Sequence, residues 1–108
     1  MENITDKIRY HQLYDIYSGL LTEKQKTYFE YYYLDDYSLS EIAKIMDVSR
    51  NAVHDQVKSV LQHLDHYEEI LKVRSGRSER KVLINELKTK IDDSNILKII
   101  EKLEKSEV

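Results

Sequence analysis

The chain has 108 residues, enough for one domain with a modest core, and carries no cysteine, no proline, two glycines and a net charge of −3. The lack of cysteine excludes a disulfide framework, a thiolate nucleophile and thiolate zinc sites, and glycine at Gly19 and Gly76 alone excludes a glycine-rich phosphate loop and a series of tight hairpins. What remains is an all-α chain held together by apolar packing, with no cofactor or metal called for.

A first helix is predicted over about Thr5–Tyr17, with Ile4, Ile8, Leu13, Ile16 and Tyr17 as its apolar stripe and Ser18-Gly19 as its stop. Thr22-Glu23-Lys24-Gln25 has capping-box spacing and opens a second helix running to about Leu34. Its aromatic residues cannot share one face, because neighbouring positions diverge by about 100°. Phe29, Tyr32 and Tyr33 are expected in the core, leaving Tyr28 and Tyr31 for a subunit interface or a base-stacking surface.

Asp35-Asp36 ends helix two, and Ser38-Leu39-Ser40-Glu41 repeats the capping-box spacing ahead of Leu39, Ile42, Ala43 and Met46 at i, i+3, i+4, i+7. After a turn at Met46-Asp47-Val48, Ser49 can cap a fourth helix whose Val53, Val57, Val60, Leu64, Tyr67 and Leu71 form a heptad seam reaching about Val73. Ser75-Gly76 is expected to break that helix. Two more helices follow, about Ser78–Ile91 with Leu83, Ile84, Leu87 and Ile91 inward, and about Ser94–Lys105 with Ile96, Leu97, Ile100 and Leu103 inward. Residues 1–74 thus read as a helix-turn-helix module. Residues 75–108 read as a C-terminal helical extension, either part of the same compact domain or a dimerisation element.

A short helix, a tight turn and a capped second helix is the arrangement that lets a helix enter the major groove. With Ala52, Val53 and Val57 turned inward, the outward residues of helix four are Ser49, Arg50, Asn51, His54, Asp55 and Lys58. Arginine can be bidentate to guanine and asparagine to adenine, while Ser49, Lys58 and the first amides of the helix suit phosphate. The candidate nucleic-acid-binding residues are therefore Ser49, Arg50, Asn51, His54 and Lys58. Residues 1–74 hold nine Lys/Arg against thirteen Asp/Glu, and residues 75–108 eight against seven, so any such binding uses a small local patch. Asp47 and Asp55 beside that patch repel phosphate.

His63 and His66 lie three apart beside Asp65, a spacing a metal can use, but with no third ligand evident they read as solvated or interface residues. The acidic residues are all accounted for by caps, helix ends or solvated faces. With the nucleophile elbow, the P-loop and the metallohydrolase helix also missing, no enzyme is expected. The start of the sequence lacks a basic cluster followed by an apolar stretch, and no apolar run approaches the ~20 residues of a membrane span, so the chain is expected in the cytoplasm. Tyr28, Tyr31, Tyr67 and Leu71 are the candidate interface residues of a homodimer.

Ser38-Leu39-Ser40-Glu41-Ile42-Ala43 followed by Val48-Ser49-Arg50-Asn51-Ala52-Val53 resembles the fourth region of bacterial sigma factors, which reads promoter elements. Over residues 9–71, Leu13-Tyr14-Asp15, Leu20-Leu21-Thr22-Glu23-Lys24-Gln25 and Tyr31-Tyr32 extend the likeness, and the chain resembles the YlxM family of small bacterial proteins. Genes of that family typically neighbour those of the signal recognition particle GTPases. The resemblance implies a sigma-like helix-turn-helix fold and a regulatory or accessory part in that pathway, without catalysis. Its partner would be DNA, structured RNA or a signal recognition particle component, the last through a protein-adaptor role with no nucleic-acid contact.

Overall fold

The computed structural model describes residues 4–107, and among them every regular element is helical. The helices are α1 (Ile4–Tyr17), α2 (Glu23–Phe29), α3 (Leu39–Met46), α4 (Arg50–Leu71), α5 (Val73–Lys90) and α6 (Ser94–Ser106). The chain divides into two compact units, one ending at Leu71 and the other beginning at Lys72.

In the first unit the predicted caps set the helix starts. Gln25 N–H donates to Thr22 Oγ1 at 3.1 Å while Thr22 N–H donates to Gln25 Oε1 at 2.8 Å, and Ser38 with Glu41 repeats the exchange at 3.1 and 3.2 Å. Each box satisfies two amides that a helix start leaves without intrahelical partners. Beyond Phe29 the helix widens into a π turn over Glu30–Leu34, closed by Asp35 N–H donating to the Glu30 carbonyl at 2.9 Å.

The core is aromatic where α2 meets α1 and aliphatic where α3 meets α4. Phe29 stacks between Tyr14, at 4.2 Å, and Tyr33, at 4.8 Å, while Leu13, Ile42, Val53, Val57, Val60 and Leu64 are fully enclosed. Two expectations need correction. Tyr28, expected outward, is only 2% exposed, because α2 has α1 beside it and α4 packed against it, so positions about 100° apart are both covered. Tyr32, expected in the core, is half-buried with its ring edge-on to Tyr33 at 5.2 Å.

Helix α1 also departs from the predicted stripe, since Ile4 and Ile8 are exposed and the buried face is Leu13, Tyr14 and Tyr17. Three tyrosines at spacings of four and three hold it down. Tyr10 donates to Asp65 Oδ2 at 2.8 Å, Tyr14 to Glu30 Oε1 at 2.7 Å and Tyr17 to Glu68 Oε1 at 2.7 Å, with Arg9 pairing to the same Asp65. Hydrogen bonds to a charged partner are the strong ones, so this face is tied by polar contacts that hydrophobic periodicity does not register.

The helix break expected at Ser75-Gly76 falls instead at Lys72, which adopts a left-handed φ of 51°, and α5 runs straight through Gly76. A single glycine within a helix costs only about 1 kcal/mol, and here the Arg80 guanidinium lies over it, so close that an added Cβ would come within 3.1 Å of Nη1. In the second unit α5 and α6 form an antiparallel hairpin, joined by Arg80–Glu107 at 2.7 Å near one end and by Lys88–Glu104 further along. Asp93 caps α6 by accepting from the amides of Asn95 and Ile96 at 2.8 and 3.2 Å. Of the residues expected inward, Ile84 and Ile100 are buried, Ile91 and Leu97 are half-buried, and Leu83, Leu87, Ile96 and Leu103 are exposed. Within a two-helix unit each helix covers only a narrow stripe of the other.

Candidate nucleic-acid interface

Helix α3 is seated on α4 through Leu39 and Ile42 against the valine side of the longer helix. Its end is sharp: Asp47 takes a left-handed φ of 54°, a conformation that aspartate tolerates better than most residues, and Val48 N–H donates to the Ala43 carbonyl at 3.1 Å. Residues 47–49 then turn the chain into α4. There the Ser49 hydroxyl accepts from Ala52 N–H at 3.0 Å and the Ser49 carbonyl accepts from Val53 N–H at 3.1 Å. The amides of Arg50 and Asn51 precede that first intrahelical bond and stand at the positive end of a 22-residue helix.

The burial of Val53 and Val57 sets the rotation of α4 and leaves Asn51, Asp55 and Lys58 off the buried side, while Ser49 and Arg50 are exposed because they stand at the very start of the helix. Ser49, Arg50, Asn51, Asp55 and Lys58 are exposed and His54 is half-exposed, with Nδ1 3.4 Å from Asp55 Oδ1. The spacing of Arg50, His54 and Lys58 puts them on successive turns of one face. Arg50 and Lys58 make no ion pair among the described residues. Arg50, His54 and Lys58 thus form a stripe that starts at the first turn of α4, with Ser49 and Asn51 in that turn on either side of Arg50 and Asp55 alongside. Ile45 and Val48 are exposed beside the turn, 50% and 40% respectively, and give the stripe an apolar margin. Sequence reasoning passed over them because it sorted apolar positions by the seams of α3 and α4, and these two fall off both seams.

The candidate interface residues do not come together. Tyr28 is in the core; Tyr31 is half-buried, its ring 5.5 Å from that of Tyr37 and its carbonyl accepting from Tyr37 N–H at 2.9 Å. Tyr67 donates to the Leu20 carbonyl at 3.3 Å and packs by Tyr17, which leaves Leu71 as the member that is apolar and more than half exposed. His63 and His66 flank the Tyr67 ring, each at 6.3 Å, and no group of three or more metal-ligating side chains occurs among the described residues. His11, which the sequence left without a role, sets Nε2 3.1 Å from the Tyr33 carbonyl, at the edge of the aromatic cluster.

The strongest perturbation of a titratable group lies away from this stripe. Burial, and then its hydrogen bond to the Glu30 carboxylate, hold the Tyr14 phenol far above the usual tyrosine range. Tyr10 is raised by burial and by its bond to Asp65, with Arg9 pulling partly the other way. Both sites are ties between helices, Tyr14 to Glu30 and Tyr10 to Asp65.

A short helix seated across the start of a longer, capped helix that displays a polar stripe defines a helix-turn-helix protein. Residues 4–105 match the family described as "Putative helix-turn-helix protein, YlxM / p13 like", and the chain belongs to that family. It is 45% identical over 101 residues to the UPF0122 protein YlxM of Bacillus subtilis, covering 90% of this chain and 92% of that one. It is 43% identical over 104 residues to a UPF0122 protein of Anoxybacillus flavithermus, covering 92% and 94%. With the UPF0122 protein lwe1821 of Listeria welshimeri it shares 44% over 89 residues, covering 82% and 81%. The family is described by its helix-turn-helix and not by a reaction. No helix among the described residues is long and apolar enough to cross a membrane.

Proposed function

We propose that this protein is a cytoplasmic regulator that binds DNA or structured RNA through the exposed stripe of α4, as a homodimer working with the signal recognition particle pathway. The observation that supports it is the stripe itself, with Arg50, Asn51, His54 and Lys58 outward on a helix whose valines are buried. Arg50 and Asn51 read base edges. The Ser49 hydroxyl, Lys58 and the amides of Arg50 and Asn51 take phosphates, and Ile45 and Val48 offer apolar contact to a thymine methyl. So few cations release few counterions, so the affinity is modest and rests on base contacts more than on charge.

One observation favours a second reading. Asp55 is largely exposed within the stripe and Asp47 stands at the turn, which suits a basic protein surface better than a phosphate backbone. In that reading the protein is an adaptor that binds a component of the same pathway and makes no nucleic-acid contact.

The test is fluorescence anisotropy with signal recognition particle RNA and with the gene's own promoter DNA, at about 0.15 M salt, using Arg50→Ala as the comparison. Saturable binding lost in the variant, with thermal unfolding unchanged, supports the regulator. No binding to either probe moves the weight to the adaptor. A variant that unfolds early would show that Arg50 belongs to the packing and not to the face.

A further inference from the structure

The α5–α6 hairpin leaves a broad apolar surface uncovered. Ile84 and Ile100 fill its inner seam, while Leu83, Leu87, Ile96 and Leu103 are 44–58% exposed and Ile99 is 65% exposed. Two helices that enclose so little are below what a stable packed unit requires. At about 100° per residue, Leu83 and Leu87 are rotated to one side of Ile84 on α5, and Ile96, Ile99 and Leu103 are rotated to one side of Ile100 on α6. The Lys88–Glu104 pair marks the opposite side of the seam on both helices, so the five exposed residues share one face of the hairpin.

The charged margins of that face indicate what covers it. Past Leu83, the outer edge of α5 carries Glu79 and Glu86, with Lys90 paired to Glu86 at 3.0 Å. Past Ile99, the outer edge of α6 carries Lys98 and Lys102, both exposed and neither in an ion pair among the described residues. One edge is net acidic and the other basic, so the face is complementary to itself. A two-fold axis parallel to the hairpin sets α5 of one copy against α6 of the other and brings the acidic edge beside the basic edge twice. An axis across the hairpin would instead set like edges together, with acid on acid and base on base.

We infer that this face is the dimer interface: two hairpins stack about a two-fold axis parallel to their length into a four-helix bundle. Leu87, Ile99 and Leu103 lie in its core, and Glu86 of one copy sits beside Lys102 of the other. This rests on the homodimer of the proposed function and not on its nucleic-acid contact. It replaces the tyrosines of the first unit, which are engaged within their own chain, with an apolar face of the kind homodimers bury.

Sedimentation equilibrium of the whole chain without nucleic acid tests it, using wild type, Leu103→Asp, Glu86→Lys, Lys102→Glu and the double reversal. The expected result is a wild-type dimer that Leu103→Asp converts to monomer, with helicity monitored by circular dichroism. Each single reversal raises the dissociation constant by roughly three- to tenfold, as expected for two symmetry-related exposed pairs, and the double reversal brings it back towards wild type. A monomeric wild type overturns the homodimer altogether. A dimer indifferent to Leu103→Asp overturns this face and leaves the homodimer standing, and reversals that do not compensate overturn the α5-to-α6 pairing.

Discussion

The two units of this chain are both built from helices, four in the first and two in the second, yet the first encloses by far the larger core. Up to Leu71 the helices pack on several sides at once, so that Tyr28 and Phe29, adjacent in sequence, are both buried. From Lys72 onward α5 packs on α6, and among the described residues of that unit Ile84 and Ile100 are the buried apolar side chains. The difference does not lie in apolar content, since α5 and α6 are supplied with leucine and isoleucine; it lies in the number of neighbours. Burial of an amphipathic helix is decided by how much of its circumference meets other helices, and a hairpin offers one side only.

Substitutions at matched depth sharpen that contrast. Phe29→Ala removes the ring stacked between Tyr14 and Tyr33 and is expected to cost about 3–5 kcal/mol, read from denaturant unfolding. Ile84→Ala in the hairpin is expected to cost less, about 2 kcal/mol, because its surroundings are open enough to relax; hydrogen exchange of the α5 and α6 amides would report it. Equal costs at the two sites would erase the distinction between the units.

Polar ties are the next effect in size. Tyr14→Phe leaves the Glu30 carboxylate without its phenolic donor and should cost about 1–2 kcal/mol. The same tie makes the first unit sensitive to alkali. With the folded pKa above the unfolded value near 10, the native state holds the proton more tightly, so stability from this site is intact below about pH 10 and declines as pH rises towards the folded value. Unfolding followed from about pH 9 to about pH 11 should therefore show a fall that is shallower in Tyr14→Phe. With no tryptophan in the chain, tyrosinate absorbance can follow the same titration directly. The smallest effect concerns the junction: Lys72→Gly relieves a left-handed φ of 51° and should raise stability by up to about 1 kcal/mol. A loss there would show that the lysine side chain itself matters.

Most of the helix starts were legible in the sequence because their signals are local. A capping box such as Thr22–Gln25 or Ser38–Glu41 is completed within four residues, and the Ser49 cap and the valine seam set the rotation of α4 before any tertiary contact is known. Part of the candidate stripe was legible for the same reason, since a seam that is inward at Val53 and Val57 leaves Lys58 outward, whereas Arg50, seven residues before Val57, is exposed because it stands in the first turn of α4. The break expected at Gly76 is absent because one glycine weakens a helix by only about 1 kcal/mol and does not end it, and Lys72, where the break falls, carries no breaker signal at all.

The sequence by itself determined the all-α class, the helix-turn-helix and the polar face of its second helix, all of which depend on contacts within about two helical turns. The tertiary structure alone decided that Tyr28 is core, that Tyr10, Tyr14 and Tyr17 anchor α1 through carboxylates 55, 16 and 51 positions away, and that most of the hairpin's leucines and isoleucines stay exposed. The physical reason is that periodicity shows which side of a helix can be buried. How wide an arc is buried depends on neighbours brought in from elsewhere in the chain.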